Sequence, residues 1–336
     1  MTLTCATWPV RNRLAMAAAM AAAMAPAMAA TMAMATAKTA MRWALLSAGL
    51  GLLAAAGTVA RPVTVADLLA DSRAADWRTP DPDSTLYLEL PRGRVVIELA
   101  PQVAPLHVAN IRALARARYF DGLAIVRVQD NYVVQWADPG HERAVPAGIH
   151  ALPAEFTAAA GASKRFEPLP DRDLYAPQVG FLDGFPAARD PRSGTVWLAH
   201  CYGMVGVGRD DPPESDGTEM YAVIGHAPRH LDRNVALVGR VLQGMELLSS
   251  LPRGSGEMGF YVTAEPKVPI ISMRIASDLP PGERTRIEVL RTESAVFRSV
   301  LEHRRNRHED WFKFNPGHID LCNVPLPVRT VPAAPR

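Results

Sequence analysis

The chain of 336 residues is 49% hydrophobic and 21% charged, enough apolar material for one sizeable core, and this composition excludes global disorder. Its 36 Lys and Arg stand against 34 Asp and Glu, so it lacks the basic excess that phosphate backbones demand, and nucleic acid is not an expected partner. Residues 15–41 are almost wholly Ala and Met, without helical or strand periodicity, and form no domain. Met41-Arg42-Trp43, an apolar run over 44–56 and the small residues Thr58-Val59-Ala60 then give the charged start, short hydrophobic stretch and small-residue exit of a secretory signal. That pattern predicts loss of residues 1–60 and a periplasmic or secreted protein, with Met41 a candidate start. The alternative, an uncleaved membrane anchor, is disfavoured because the run over 44–60 is shorter than the ~20 apolar residues a spanning helix needs.

Of the three cysteines, Cys5 falls in this leader, leaving Cys201 and Cys322. They either pair, as an oxidising compartment allows, or stay apart as small buried hydrophobes. Without geometry, their separation favours the second.

Between 61 and 83, Val65, Leu68 and Leu69 with Asp67 near the start predict a short amphipathic helix and then a Pro- and Asp-rich linker. Runs at 86–90 and 94–99 around Pro91-Arg92-Gly93 predict a β-hairpin. Val108, Ile111, Leu114 and Ala115 share one face of a helix over 107–117. Two more β-rich runs follow at 124–128 and 132–136. Residues 138–191 turn to Pro, Gly, Asp and Ala and read as long loops. Further strands are expected at 195–199, 220–225, 235–241 and 270–276, with a helix over 244–251. The Gly-rich string Gly203-Met204-Val205-Gly206-Val207-Gly208 lacks the Lys-Ser/Thr of a nucleotide cradle and reads as a loop. Residues 278–336 form an extension with a charged helix over 286–309, expected to pack on the barrel surface, and a Pro-rich tail. Many short β-runs and only two core helices imply a closed or nearly closed barrel, because closure removes exposed sheet edges.

The strings Gly93-Arg94-Val95-Val96-Ile97-Glu98-Leu99, Ala104-Pro105, Asn110 with Leu114, Tyr119-Phe120-Asp121-Gly122 and Val126-Arg127-Val128 leading to Gln135 come in a recognisable order. Asp216-Gly217-Thr218-Glu219-Met220-Tyr221 and Val238-Gly239-Arg240-Val241-Leu242-Gln243-Gly244-Met245 follow. Together they resemble the cyclophilin family of peptidyl-prolyl cis/trans isomerases over about 84–277. The resemblance implies a mainly β fold, a closed antiparallel eight-stranded barrel capped by two α-helices, acting without cofactor or metal as a monomer on proline-containing polypeptides. It places the catalytic Arg at Arg127, supported by Gln135, and a substrate seat at Tyr132, Val133, Leu198, Ala199, Met220, Tyr221, His230 and Leu231. His230 stands where eukaryotic members carry Trp, and Val235 where many carry His, which implies an altered ligand preference. From alternation alone Arg127 is equally a strand Arg reaching solvent or pairing with Asp130. The competing function is a proline-binding chaperone or adaptor that has lost efficient catalysis. A Cys/His nucleophile at His200-Cys201 is rejected, since adjacent strand residues point to opposite faces. His303 and His308 lack the spacing of a helical metal pair.

Overall fold

The computed structural model describes residues 63–162 and 165–332; the predicted secretory signal lies outside them. Helix α1 (Val65–Ala70) begins with a reciprocal cap, the Thr64 hydroxyl accepting from the Asp67 N–H and the Asp67 carboxylate from the Thr64 N–H. After β1 (Trp77–Arg78), the predicted hairpin forms from β2 (Thr85–Leu90) and β3 (Gly93–Leu99), paired from Thr85 against Glu98 to Leu90 against Gly93. Helix α2 (Pro105–Arg116) opens with Pro, whose missing N–H has no helical partner to lose, and buries Val108, Ile111, Leu114 and Ala115. Strands β4 (Ala124–Val128) and β5 (Val133–Ala137) follow as expected.

The stretch 138–191 departs from the sequence reading. It contains β6 (Ala158–Ala159), β7 (Phe166–Pro168), β8 (Gln178–Leu182) and β9 (Phe185–Asp190), which join β10 (Thr195–Leu198) in a five-stranded sheet of order β6-β10-β9-β8-β7. The strand expected at 195–199 therefore belongs to this second sheet and not to the barrel. Its place in the barrel is taken by β11 (Met204–Val207), the Gly-rich string read as a loop. Next come β12 (Met220–Val223), β13 (Leu237–Gln243), α3 (Met245–Ser249) and β14 (Ser272–Ile275).

The barrel sheet runs β14-β2-β3-β13-β11-β12-β5-β4, antiparallel throughout. Its ends are drawn together by the lead-in to β14: Ile270 donates to the Leu123 carbonyl at 2.7 Å and accepts from Gly122 at 2.8 Å, while Ile125 donates to Val268 at 2.9 Å. Inside lies one apolar core including Leu88, Ile97, Ile111, Phe120, Ile125, Trp136, Met220 and Val238. Helices α2 and α3 contribute Leu114 and Leu248 to it.

The carboxy-terminal extension also differs from expectation. Residues 286–309 are not one helix, because the β-branched stretch β15 (Ile287–Leu290) pairs with β1 before α4 (Ala295–Arg305) begins at the Ser294 cap. β16 (Val328–Thr330) completes a three-stranded sheet of order β1-β15-β16. Helix α4 packs on the second sheet, with Phe297 edge-on to Phe181 at 5.0 Å between ring centroids. This second core, with Trp197, Leu198, Leu290, Leu321 and Val324, meets the outer face of the barrel through Val103, Met204 and Leu237. The insertion and both extensions thus build one layer against the barrel. Cys201 and Cys322 are bonded across that junction with Cα atoms 4.9 Å apart, so the unpaired alternative is corrected: the extension carries Cys322 back over 121 residues of sequence.

Candidate active site

A cleft of about 760 Å³ opens on the outer face of β4, β5, β11 and β12. Strand periodicity decides what faces it. Along β5, Val134 and Trp136 point into the barrel core while Val133 and Gln135 line the cleft; along β12, Met220 and Ala222 point inward and Tyr221 outward. On β4 the register slips by one residue between Ile125 and Arg127. Without that bulge Arg127 would share the core face of Ile125; with it, Arg127 stands opposite Gln135 on the outer face. The pairing then runs Arg127, Gln135, Tyr221, Gly206 across four strands.

The guanidinium of Arg127 is half-buried and held from three sides. Nε donates to the Met258 carbonyl at 2.8 Å, Nη1 to the Gln135 carboxamide oxygen at 3.1 Å, and Nη2 to that of Gln129. The rings of Tyr132 and Phe260 lie with centroids 5.5 and 5.3 Å from its central carbon, within cation–π range. Met258 presents its carbonyl from a left-handed backbone conformation, φ +51°, in a turn whose next residue is Gly259. Of the five N–H groups of a guanidinium, three are engaged, and among the described residues no partner holds the other two. Burial lowers its pKa from the ordinary value, though it stays a cation at neutral pH. The alternative partner, Asp130, pairs instead with Arg253 at 3.0 Å.

Gln135 is buried and relays the other way, its Nε2 donating to Glu219. Glu219 lies over Gly208, where a Cβ would come within 2.3 Å of its Oε1. Burial, and then the charge of Asp210, push the Glu219 carboxyl above its usual range. The apolar part of the floor is Tyr132, Val133, Tyr221 and Val235, packed with Val223, with Leu231 at the wall. Beneath it, His200 sits between the Tyr221 hydroxyl at 2.9 Å and Asp232 at 3.0 Å, and Asp232 also accepts from Arg229 at 2.6 Å. Arg229 reaches on to Asp173 of the insertion at 3.0 Å, tying the cleft wall to the second layer.

Of the residues expected from sequence, Arg127, Gln135, Tyr132, Val133, Tyr221 and Leu231 come together here. The others do not. Met220 is wholly buried in the barrel core, because its neighbour Tyr221 takes the outward position. Leu198 and Ala199 are carried away with β10 into the second core. His230 is exposed on the turn before Leu231 and does not line the cleft. Val235, which stands at the family's His position, lines the cleft as well, and the residues not foreseen as lining are Gly208, Arg209, Asp210, Asp211, Pro212 and Glu219. Glu219 was accessible to alternation, being two residues from Tyr221.

A family model for the cyclophilin type peptidyl-prolyl cis-trans isomerases matches residues 85–275, more than half of the chain, and the chain belongs to that family of enzymes. The "Probable peptidyl-prolyl cis-trans isomerase" of Brucella suis biovar 1 is 26% identical over 185 residues, 52% of this chain and 74% of its own. "Peptidyl-prolyl cis-trans isomerase CYP23" of Arabidopsis thaliana is 26% identical over 181 residues, 54% of this chain and 66% of its own. Among solved structures, cyclophilin AquaCyp293 from Hirschia baltica aligns with a TM-score of 0.63 at 26% identity, covering 81% of this chain and 99% of that one. That share exceeds what residues 85–275 account for, so the likeness extends beyond the barrel into the flanking layer.

Proposed function

We propose that this enzyme accelerates rotation about X-Pro bonds in exported polypeptides, with Arg127 as the group that stabilises the twisted amide. The barrier to rotation, ~18–20 kcal/mol, comes from amide resonance, and no covalent bond has to break. As the amide twists, resonance is lost and the prolyl nitrogen becomes pyramidal and able to accept a hydrogen bond. A donor placed at that nitrogen acts more strongly on the twisted state than on either planar one, so it raises the rate without favouring cis or trans.

The observation that carries this reading is the clamped guanidinium of Arg127, with two N–H groups free, beside an apolar floor of Val133, Tyr221 and Val235 that seats a proline ring. Clamping removes the cost of ordering the side chain in the transition state. Gln135 holds the guanidinium in register. Export is supported by the predicted signal over 41–60 and by the Cys201–Cys322 bond, a feature of oxidising compartments. No observation favours the adaptor reading: Arg127 faces the cleft, and among the described residues none from 138–191 lines it.

The test is exchange spectroscopy on a panel of X-Pro peptides with the wild-type chain and Arg127→Ala. A charge-assisted hydrogen bond of ~1.5–3 kcal/mol predicts a fall in kcat/KM of about 10- to 100-fold. An unchanged rate in a folded variant would remove Arg127 from the mechanism.

A further inference from the structure

A second cavity, of about 230 Å³, lies beside the disulfide and shares no lining residue with the cleft. Met204 of β11, Val241 of β13, Met245 of α3 and Leu321 and Val324 of the extension give it apolar walls, and both halves of the Cys201–Cys322 bond line it. Tyr202, 49% exposed, stands at its mouth. Arg240 is the one charged residue among those lining it.

That guanidinium is in an unusual position. Arg240 is only 5% exposed, and its Nε and Nη2 are buried without a hydrogen-bond partner among the described residues. The carboxylate it faces is Glu98, whose Oε2 stands 3.8 Å from Nε, beyond hydrogen-bond range. Glu98 is already engaged by Arg78, which donates from Nη1 to Oε1 and from Nη2 to Oε2 at 3.0 Å. Asp183 and Glu293 add their charge at Arg78, whereas Glu98 alone acts on Arg240. Burial pushes the pKa of Arg240 down to about 10 against the pull of Glu98, with Arg78 adding to the fall, and the group is still a cation at neutral pH. A buried cation with its hydrogen bonds unmade is destabilising, and an anion in the cavity would relieve it.

We propose that this cavity binds a small aliphatic monocarboxylate, its carboxylate paired with Arg240 and its hydrocarbon body seated against Met204, Met245, Leu321 and Val324. The site goes beyond the isomerase reading and does not depend on it. A guanidinium matches a carboxylate with charge-assisted hydrogen bonds, among the strongest a side chain makes. A single cation among apolar walls selects a single negative charge, because a second charge would be desolvated with nothing to meet it. The volume, below the ~300 Å³ at which pockets begin to take drug-sized ligands, limits the body to a short chain. The two methionines are side chains that adapt to such a chain.

The test is a titration of the chain, labelled at its methionine methyl groups, with hexanoate and with hexanamide, which keeps the body and lacks the charge. Met204 and Met245 report on the cavity, and Met258, beside Arg127, on the cleft. Hexanoate is expected to give saturable shifts at Met204 and Met245 with a Kd of about 1 mM, Met258 staying in place. Hexanamide is expected to bind about tenfold more weakly. Arg240→Met is expected to fold, since an apolar residue in place of a buried charge is often neutral or stabilising, and to bind the two compounds equally. The wild-type comparison decides the question without the variant. Equal affinities of the wild type for both compounds, or hexanoate shifts confined to Met258 or absent at about 20 mM, would overturn the site. A hexanoate preference that survives in Arg240→Met would overturn the role of Arg240.

Discussion

The imidazole Nε2 of His200 lies 2.9 Å from the hydroxyl of Tyr221, so a fully buried histidine anchors the ring that floors the cleft. Its Nδ1 faces the Asp232 carboxylate at 3.0 Å, which makes Nδ1 the protonated nitrogen of a neutral ring and Nε2 the acceptor of the Tyr221 hydroxyl. Burial pushes the pKa of His200 below its ordinary 6.5, against the opposing pull of Asp232. In the unfolded chain the same imidazole takes a proton near 6.5, so from there downward to the depressed folded value the unfolded state binds more protons. Stability must then fall as pH drops through that window, by up to about 1.4 kcal/mol per pH unit. Urea unfolding at pH 7.5 and 5.5 is expected to show this loss in the wild type and a smaller one in His200→Gln. Asp232 acts separately: burial would raise its carboxyl, but the His200 hydrogen bond and the Arg229 charge hold it below 3.8, so its contribution is lost only in stronger acid. An equal loss in both proteins would assign the effect to other groups.

Gly206 is the second support of the same ring. A Cβ at this position would lie 2.4 Å from Cζ and the hydroxyl of Tyr221, closer than any contact can be. In Gly206→Ala the ring must therefore lift, breaking the His200 hydrogen bond and intruding on the proline seat. The expected result is a loss of about 1–3 kcal/mol in stability together with weaker binding of an Ala-Pro peptide. Retained stability and affinity would mean that the tyrosine has another place to go, and that its position is not a determinant of the cleft.

The same glycines explain what the sequence hid. The hairpin of Thr85–Leu90 and Gly93–Leu99 was legible because both strands are long and rich in β-formers around a turn. Met204–Val207 was not, because Gly203, Gly206 and Gly208 give it the composition of a loop; two of these are glycine since Tyr221 and Glu219 lie across them. The second sheet was hidden for a different reason. Its edge strand Ala158–Ala159 pairs with residues beyond 190, which no local pattern encodes, while the hairpin of β8 and β9, although turned at Asp183-Gly184, lies in a Pro-, Gly- and Asp-rich stretch whose composition reads as loop. The family alignment then misdirected Leu198 and Ala199, since an insertion that builds its own sheet had taken the strand bearing them. Arg127 and Gln135 were legible by resemblance, but the outward aim of Arg127 depends on a bulge that appears only in the pairing of β4 with β5.

The bond between Cys201 and Cys322 is a covalent tie of the carboxy-terminal extension, beside the apolar contacts of Ile287 and Val289 with Tyr87, Val96 and Leu242 of the barrel. It adjoins His200 in sequence and closes a loop with a separation of 121 residues, for which chain-entropy reasoning gives at most about 5 kcal/mol of stabilisation. The core shared by Trp197, Phe297, Leu321 and Val324 also holds the layer, so reduction is expected to loosen it and not to unfold the barrel. Dithiothreitol should lower the Tm of the wild type by several degrees, roughly 2–4 °C per kcal/mol for a chain of this size. Cys322→Ser should match the reduced protein and be insensitive to reductant. Hydrogen exchange locates the effect: faster exchange over 287–330 with β3 and β13 unchanged is the expected pattern. Equal protection in the reduced and oxidised proteins would mean that apolar packing alone holds the layer, and that the disulfide adds nothing to its attachment.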